Sequence, residues 1–305
     1  MDTRQLDMFR TVAEEGAFTA AAQRLHISQS AVSRQLKLLE EELGTLLFHR
    51  TGRGVTLTRE GEMLLTAANR IAVEMQEVVS QISETKELRR GLLSIGGGMT
   101  VCLYILPKLL RKFRAQYKEV DLRVTTGTTA NVLQMLRNRE IELALLTLPI
   151  IAADLEIIPV LKEEMVVVTA GKNPLTRERT VDARALGRQP LILFESGSNT
   201  RKVVDEFLLR EGVPSNVIME TENVEIIKTM VASGLGATII PFAAIAHEVK
   251  SGRFGWARLR GGRIYRETGW VLMKSDYQPR AVSEVLRVFD SMKHQFAGQL
   301  PASKG

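Results

Sequence analysis

A chain of 305 residues with 45% hydrophobic and 25% charged residues has the balance of ordinary globular protein and the length for two or three domains. Its formal charge of +6 is compatible with nucleic acid as a partner but does not name one. The single cysteine, Cys102, excludes an intramolecular disulfide and fits a reducing cytoplasm; no apolar run approaches membrane-spanning length, and Met1-Asp2-Thr3-Arg4 opens no signal core.

Along the chain, Leu6, Phe9 and Val12 predict a first helix with a buried stripe. The run Ala20-Ala21-Ala22 predicts a second helix able to pack closely on its neighbour. Ser28 sits where an N-cap belongs. Val32, Leu36, Leu39 and Leu43 then recur at helical spacing up to Gly44, which accepts the left-handed conformation that ends helices. The opposite face of this third helix carries Gln29, Ser30, Ser33, Arg34 and Lys37, donor-rich side chains of the kind that read base edges and phosphates. From Leu46 to Thr58, two short extended pieces flank a Gly52-Arg53-Gly54 turn, a wing that would carry Arg50 and Arg53 to phosphates or a minor groove. The first 60 residues hold eight Lys/Arg against eight Asp/Glu, so a DNA reading rests on placement rather than on net charge. Six bases and three acids lie between Arg24 and Arg59, and the acids cluster at the far end of the third helix. Periodicity alone leaves open a helical hairpin with a solvated polar face; the wing and the residue order favour a DNA reader.

From Arg59 to about Arg89 there is no proline, and Gly61 is the only glycine. Leu64, Ala68, Ile71, Met75, Val78 and Ile82 form a heptad-spaced seam. A helix of about 30 residues spans about 45 Å, more than a small domain needs. The seam is therefore read as a dimer contact in preference to packing on its own domain. A dimer would offer two recognition helices to two half-sites.

Beyond Gly91 the texture alternates between short apolar runs and helical segments. Strands are expected at 92–96, 121–126, 141–147, 155–161, 165–170, 190–194, 217–220 and 237–240. Helices are expected at 103–117, 130–139, 199–211 and 224–233. The alternation argues an α/β region with mostly parallel sheets in two lobes. The chain would cross between lobes near Leu161 to Met165 and return near Arg266 to Trp270, with a final helix from Pro279 to Phe296 on the first lobe. Lys250, Arg253, Arg258, Arg260, Arg263 and Arg266 form a basic stretch, read as solvated surface, with a protein or anion contact as the lesser alternative.

Two-lobed α/β modules hold small ligands outside the carboxyl ends of their strands. Here those ends carry small hydroxyl residues: Met99 and Thr100, then Thr128 and Thr129, then Thr147, and in the second lobe Ser196, Ser198 and Thr200. For any single residue, N-capping is the plainer role. Their recurrence favours a site for a carboxylate or other small anion, bound by hydroxyls and helix N-termini. No cation precedes Arg201 and Lys202 in these loops, so an anion would depend on dipoles and on Arg201.

From Leu6 to Gly61 the chain resembles the winged helix-turn-helix of the LysR-type transcriptional regulators. The matching residues are Phe9, Val12-Ala13, Gly16, Phe18, Ala21-Ala22, Leu25, Ser28-Gln29-Ser30-Ala31-Val32-Ser33, Leu39-Glu40, Leu43-Gly44, Leu47-Phe48, Arg50, Leu57-Thr58 and Gly61. Length and layout beyond residue 90 also suit that family. The resemblance implies a winged helix-turn-helix at 1–60, a linker and dimerisation helix at 61–90 and a two-lobed effector-binding domain at 91–305. That domain would resemble the type 2 periplasmic binding proteins, with lobe I at about 91–162 and 267–300 and lobe II at about 163–266. It implies a cytoplasmic bacterial regulator without cofactor or metal, acting as homodimer or homotetramer on an imperfect inverted repeat in promoter DNA. An effector would bind at Thr100, Thr128, Thr129 and Thr147, with Ser198 and Thr200 across the cleft, and RNA polymerase would be a further partner of an activator. Some members sense oxidants, but one cysteine allows no disulfide switch within the chain, and a packed thiol is the plainer reading of Cys102.

Two other function classes compete. An enzyme is disfavoured because His26, His49, His247 and His294 are scattered, Gly-x-Ser-x-Gly is absent, and Gly96-Gly97-Gly98 lacks the Lys-Ser/Thr of a phosphate-binding loop. A cytoplasmic solute-binding or sensor module without transcriptional output would suit the two lobes but leaves the DNA module unexplained.

Overall fold

The computed structural model of the protein describes residues 1–51, 54–83, 91–275 and 278–296. The chain forms two compact units, Met1–Glu87 with Arg137–Glu140, and Leu88–Leu136 with Ile141–Gly305. Among the described residues no helix is long and apolar enough to cross a membrane.

The first unit runs α1 (Thr3–Glu15), α2 (Phe18–Arg24), α3 (Gln29–Leu43), β1 (Phe48–Thr51), β2 (Gly54–Leu57) and α4 (Arg59–Ser83). Asp2 and Gln5 form a reciprocal capping box that starts α1. Ser28 starts α3 by accepting the Ala31 amide, and Gly44 ends it in the left-handed conformation at φ 69°. The three helices close on Phe9, Val12, Ala21, Ala22, Val32, Leu36, Leu39, Leu47 and Phe48. Phe48 is wedged against the Phe9 and Phe18 rings, with centroids 5.3 and 6.0 Å away. This core stops at Leu39, so Leu43, expected on the buried face, is 40% exposed.

The wing is fastened by side chains that the motif contains. The Glu40 carboxylate accepts the Leu47 amide at 2.7 Å. Thr58 donates to the Leu46 carbonyl at 2.8 Å and accepts the Gly61 amide at 3.0 Å, which caps α4. A Cβ on Gly61 would stand 2.2 Å from the Leu47 carbonyl oxygen, so only glycine lets α4 start this close to the wing.

The second unit continues with β3 (Gly91–Gly97), α5 (Met99–Tyr104), α6 (Leu106–Gln116), β4 (Val120–Thr126), α7 (Thr129–Arg137) and β5 (Leu143–Thr147). The long strand β6 (Leu155–Ala170) leads to β7 (Thr180–Val181), α8 (Ala183–Gly187), β8 (Leu191–Leu193), α9 (Asn199–Arg210), β9 (Val217–Glu220), α10 (Val224–Ala232), β10 (Thr238–Pro241), β11 (Phe254–Leu259), β12 (Ile264–Met273) and α11 (Arg280–Asp290). β3 pairs in parallel with β4 and β5. β5 then pairs antiparallel with β12, and β12 antiparallel with β6. The far half of β6 pairs with β10 and β11, forming the sheet of a second lobe. β6 and β12 thus pass side by side through both lobes. In the first lobe, α11 closes the core with Phe289 edge-on to Trp270 at 5.3 Å.

Three sequence expectations are corrected here. The single helix over 103–117 is two helices, because Pro107, in the first turn of α6, has no N–H to give the Leu103 carbonyl and its ring crowds that carbonyl, so the helix breaks at Ile105. The two strands 155–161 and 165–170 are one strand, with a register shift opposite Thr268/Gly269. Lys162-Glu163-Glu164 reads as a break in sequence, but the carboxylates of Glu163 and Glu164 stay within the strand paired to Arg266 and Arg258. The sheets are mixed rather than mostly parallel, because the strands that join the lobes are antiparallel to their neighbours. The short elements β7, α8 and β11 were not anticipated.

Candidate functional site

The N-terminal half of α3 presents the polar face. Ser28, Gln29, Ser30, Arg34 and Lys37 are exposed, and Ser33 is half-buried between them. The turn before the helix passes through His26 in the left-handed conformation at φ 56°. No described residue forms an ion pair with Arg34. Lys37 meets only the exposed Glu41, at 3.5 Å. The Ser28 hydroxyl accepts the Ala31 amide at 3.2 Å and lies 3.0 Å from the Ser30 hydroxyl, so it is largely engaged in capping.

Two charges counted on this face belong elsewhere. Arg24 is held by Glu15 and Glu14 at 2.8 Å each, and these hydrogen bonds raise its pKa. Glu40 belongs to the wing fastening described above. Arg53 and the Arg50 side chain lie outside the described residues; Arg50 itself is in β1.

Along α4 the expected seam divides. Leu64 packs on the helical core of its own unit and Ala68 is buried, while Arg10 Nε donates to Asn69 at 2.8 Å. Ile71, Met75 and Val78 are exposed. The Ile82 side chain lies outside the described residues.

In the second unit a cavity of about 180 Å³ opens at the carboxyl ends of β3, β4 and β5. From the first lobe it receives Met99, Thr100, Thr128, Thr129 and Thr147. Ser198 and Thr200 face them from the start of α9, with Phe194, Asn199 and Glu222 beside them. Seven of the eight expected residues line it. Ser196 does not: it sits on the exposed loop, with its amide turned to Glu220 at 3.2 Å.

The hydroxyls divide by employment. Ser198 caps α9 through the Arg201 amide and Thr128 caps α7 through the Asn131 amide. Thr147 and Thr200 face each other at 3.4 Å. Asn199 ties the lobes, donating to the carbonyls of Thr147 at 2.7 Å and Pro149 at 3.0 Å. The first amides of α7 and α9 have no partner within their helices and favour negative charge.

The cations are where the sequence did not put them. Arg201, expected to help hold an anion, is buried and bound to Asp205 at 2.7 Å, Glu220 at 2.7 Å and the Phe194 carbonyl at 2.9 Å. Burial works to lower its pKa, but the two carboxylates raise it, and the Arg201 hydrogen bond holds the Glu220 carboxyl below the usual range. Arg266, assigned to a solvated basic stretch, is 1% exposed and lines the cavity. Its Nε donates to Glu163 at 2.9 Å, and Thr268 donates to the same carboxylate at 3.2 Å. Arg258 of that stretch is half-buried on Glu164, while Lys250, Arg253, Arg260 and Arg263 are exposed as expected.

Cys102 lies on α5, half-buried beside the first-lobe core and outside the cavity lining. Burial pushes its thiol up to about 11.

Comparison with known proteins gives the family of both regions. A family model described as "Bacterial regulatory helix-turn-helix protein, lysR family" matches residues 3–62, and one described as "LysR substrate binding domain" matches residues 86–292. A probable RuBisCO transcriptional regulator of Guillardia theta is 31% identical over 295 residues, covering 93% of this chain and 95% of that protein. The transcriptional activator CmpR of a Synechocystis species is 33% identical over 271 residues, covering 89% of each chain. Among solved structures, a point variant of full-length OxyR from Pseudomonas aeruginosa superposes with a TM-score of 0.78 at 26% identity, covering 94% of both chains. The chain therefore belongs to the LysR family: it is a transcriptional regulator with a helix-turn-helix DNA-binding region and a two-lobed α/β substrate-binding domain, and not an enzyme.

Proposed function

We propose that this regulator is controlled by a small molecule, a carboxylate or other small anion, held between the two α/β lobes. The observation that carries the reading is the meeting of Met99, Thr100, Thr128, Thr129, Thr147, Ser198 and Thr200, from four separate chain segments, around one cavity. At about 180 Å³ it is smaller than a drug-sized pocket and suits a compact metabolite. A ligand that favours one lobe arrangement would shift the regulator between states only as far as it binds them unequally.

On the same reading, Gln29, Ser30, Ser33, Arg34 and Lys37 contact promoter DNA, with Ser28 at the helix tip and Arg50 and Arg53 on the wing. The exposed Ile71, Met75 and Val78, continuing to Ile82, form the contact of a homodimer, or of a tetramer of two dimers, on an imperfect inverted repeat. The domain divisions are those expected from sequence, at residues 60 and 90, and the regulator works in the cytoplasm. The relative named as an activator favours activation, with RNA polymerase as the further partner. An oxidant-sensing output is disfavoured by Cys102, whose buried thiol is held away from the reactive thiolate.

The test is a thermal-shift screen of the full chain against small organic acids, followed by Thr100→Val. Loss of the ligand response with unchanged DNA affinity is expected. A normal response from that variant overturns the cavity assignment.

A further inference from the structure

The cavity holds one charged group that its threonines do not explain. Arg266 is buried to 1% exposure, yet its guanidinium is only partly employed. Nε donates to Glu163 Oε2 at 2.9 Å, and Nη1 reaches Thr200 Oγ1 only at 3.5 Å. Nη2 lies 2.8 Å from that same Glu163 oxygen but out of line for a hydrogen bond, so it is a buried donor without an acceptor. A buried guanidinium with spare N–H groups, beside the free amides of α9, is matched by a carboxylate-sized anion.

We propose that Arg266 anchors the anionic group of the ligand, and that Glu163 is the resident counter-ion that the ligand must share Arg266 with. The proposal rests on the reading of the cavity as the ligand site and adds its charge rule. Glu163 neutralises Arg266 in the empty protein, which lets a cation remain buried between ligands. The same carboxylate opposes an incoming anion and so holds its affinity down. Glu222, on the exposed rim, adds a solvated and therefore weaker opposition. Glu163 and Arg266 stand on β6 and β12, the two strands common to both lobes, so the anion would engage the lobe connection itself.

The signs of the expected changes separate this from a structural role. Malonate serves as the probe, with malonamide as its neutral counterpart of similar shape, titrated into the full chain by calorimetry and thermal shift. Malonate binds the parent and malonamide does not. Glu163→Gln keeps an acceptor for Arg266 but removes the competing charge, and tightens malonate by about tenfold or more. The charge-balanced pair Glu163→Gln with Arg266→Gln keeps the parent's cooperative unfolding and loses the malonate response. A merely structural pair would weaken binding in both variants.

Absence of malonate binding to the parent, equal binding of malonamide, weaker binding to Glu163→Gln, or parental binding to the double variant each overturns the proposal. Thr100→Val separates the two failures. Malonate lost in Thr100→Val but kept in the double variant removes Arg266 and leaves the cavity reading standing. Malonate indifferent to all three variants lies outside the cavity and removes both.

Discussion

The polar face of α3, proposed to read DNA, and the cavity proposed to hold a ligand solve opposite problems. On α3 the polar groups are exposed, and Arg34 has no ion-pair partner among the described residues. In and beside the cavity the charged groups, apart from Glu222 on the exposed rim, are buried and, except at Arg266 Nη2, already hydrogen-bonded: Arg201 to Asp205 and Glu220, and Arg266 to Glu163. An exposed face can keep its donors free because water satisfies them until DNA does. A buried site must carry internal partners, since an unpaired charge there costs more than the fold can spare. Function and stability should therefore separate on α3 and be coupled in the cavity.

The largest effect expected from this contrast is on folding. Arg266→Gln alone strands Glu163 in the interior and should lower stability by about 3–5 kcal/mol. Denaturant unfolding reads this directly, and a loss below about 1 kcal/mol would mean the pair is solvated and the contrast is wrong. Next comes the exposed face. Ser33→Ala with Arg34→Ala should weaken specific DNA binding on the order of a hundredfold, each lost base contact being worth about 1–3 kcal/mol. The melting temperature and the oligomeric state should not change, and footprints like the parent's would discard the recognition-helix assignment.

A smaller effect is expected where the lobes meet away from the cavity. The Tyr104 hydroxyl of α5 donates to Glu225 of α10 and accepts from the buried Lys228 at 2.9 Å; Lys228 also pairs with Glu225 and Glu248. Tyr104→Phe should cost about 1–2 kcal/mol, the range of a hydrogen bond to a charged group at a half-exposed site. Burial alone would raise the Glu225 carboxyl, but Tyr104 and Lys228 hold it below the usual range. A depressed carboxylate contributes its stability above the unfolded range and loses it as pH falls through the folded value. The gap in melting temperature between parent and Tyr104→Phe should therefore close on acidification; a gap constant with pH would show that the phenol acts by packing. The least conspicuous effect concerns Cys102. With its thiol pushed up to about 11, alkylation by iodoacetamide should be slow at neutral pH and rise only toward that value, and a fast neutral reaction would contradict its burial.

How far the sequence carries the argument follows the same division. Ser28, Val32, Leu36, Leu39 and Gly44 lie within one continuous helix and its caps, so spacing alone gives the start, the buried face and the end of α3. Leu43 departs because the core that the spacing points to stops one turn short of the helix end. The threonines at strand ends were also legible, since strand-then-helix texture puts such residues at the cavity mouth. Their employment was not: Ser198 and Thr128 cap helices, while Ser196 turns away.

By itself the sequence determined the order of the main elements, the polar face of α3, the wing and the loops that meet at the cavity. All of these rest on periodicity and capping, which act over a few residues. Tertiary structure decided which charges are free. Arg201, offered by the sequence to a ligand, is held by carboxylates, and Arg266, read as solvated, is buried at the cavity. Arg201 is held by an acid 19 residues away as well as one in its own helix, and Arg266 by one 103 residues away. Whether an arginine is spent, spare or solvated depends on what the fold brings beside it. No local pattern encodes that.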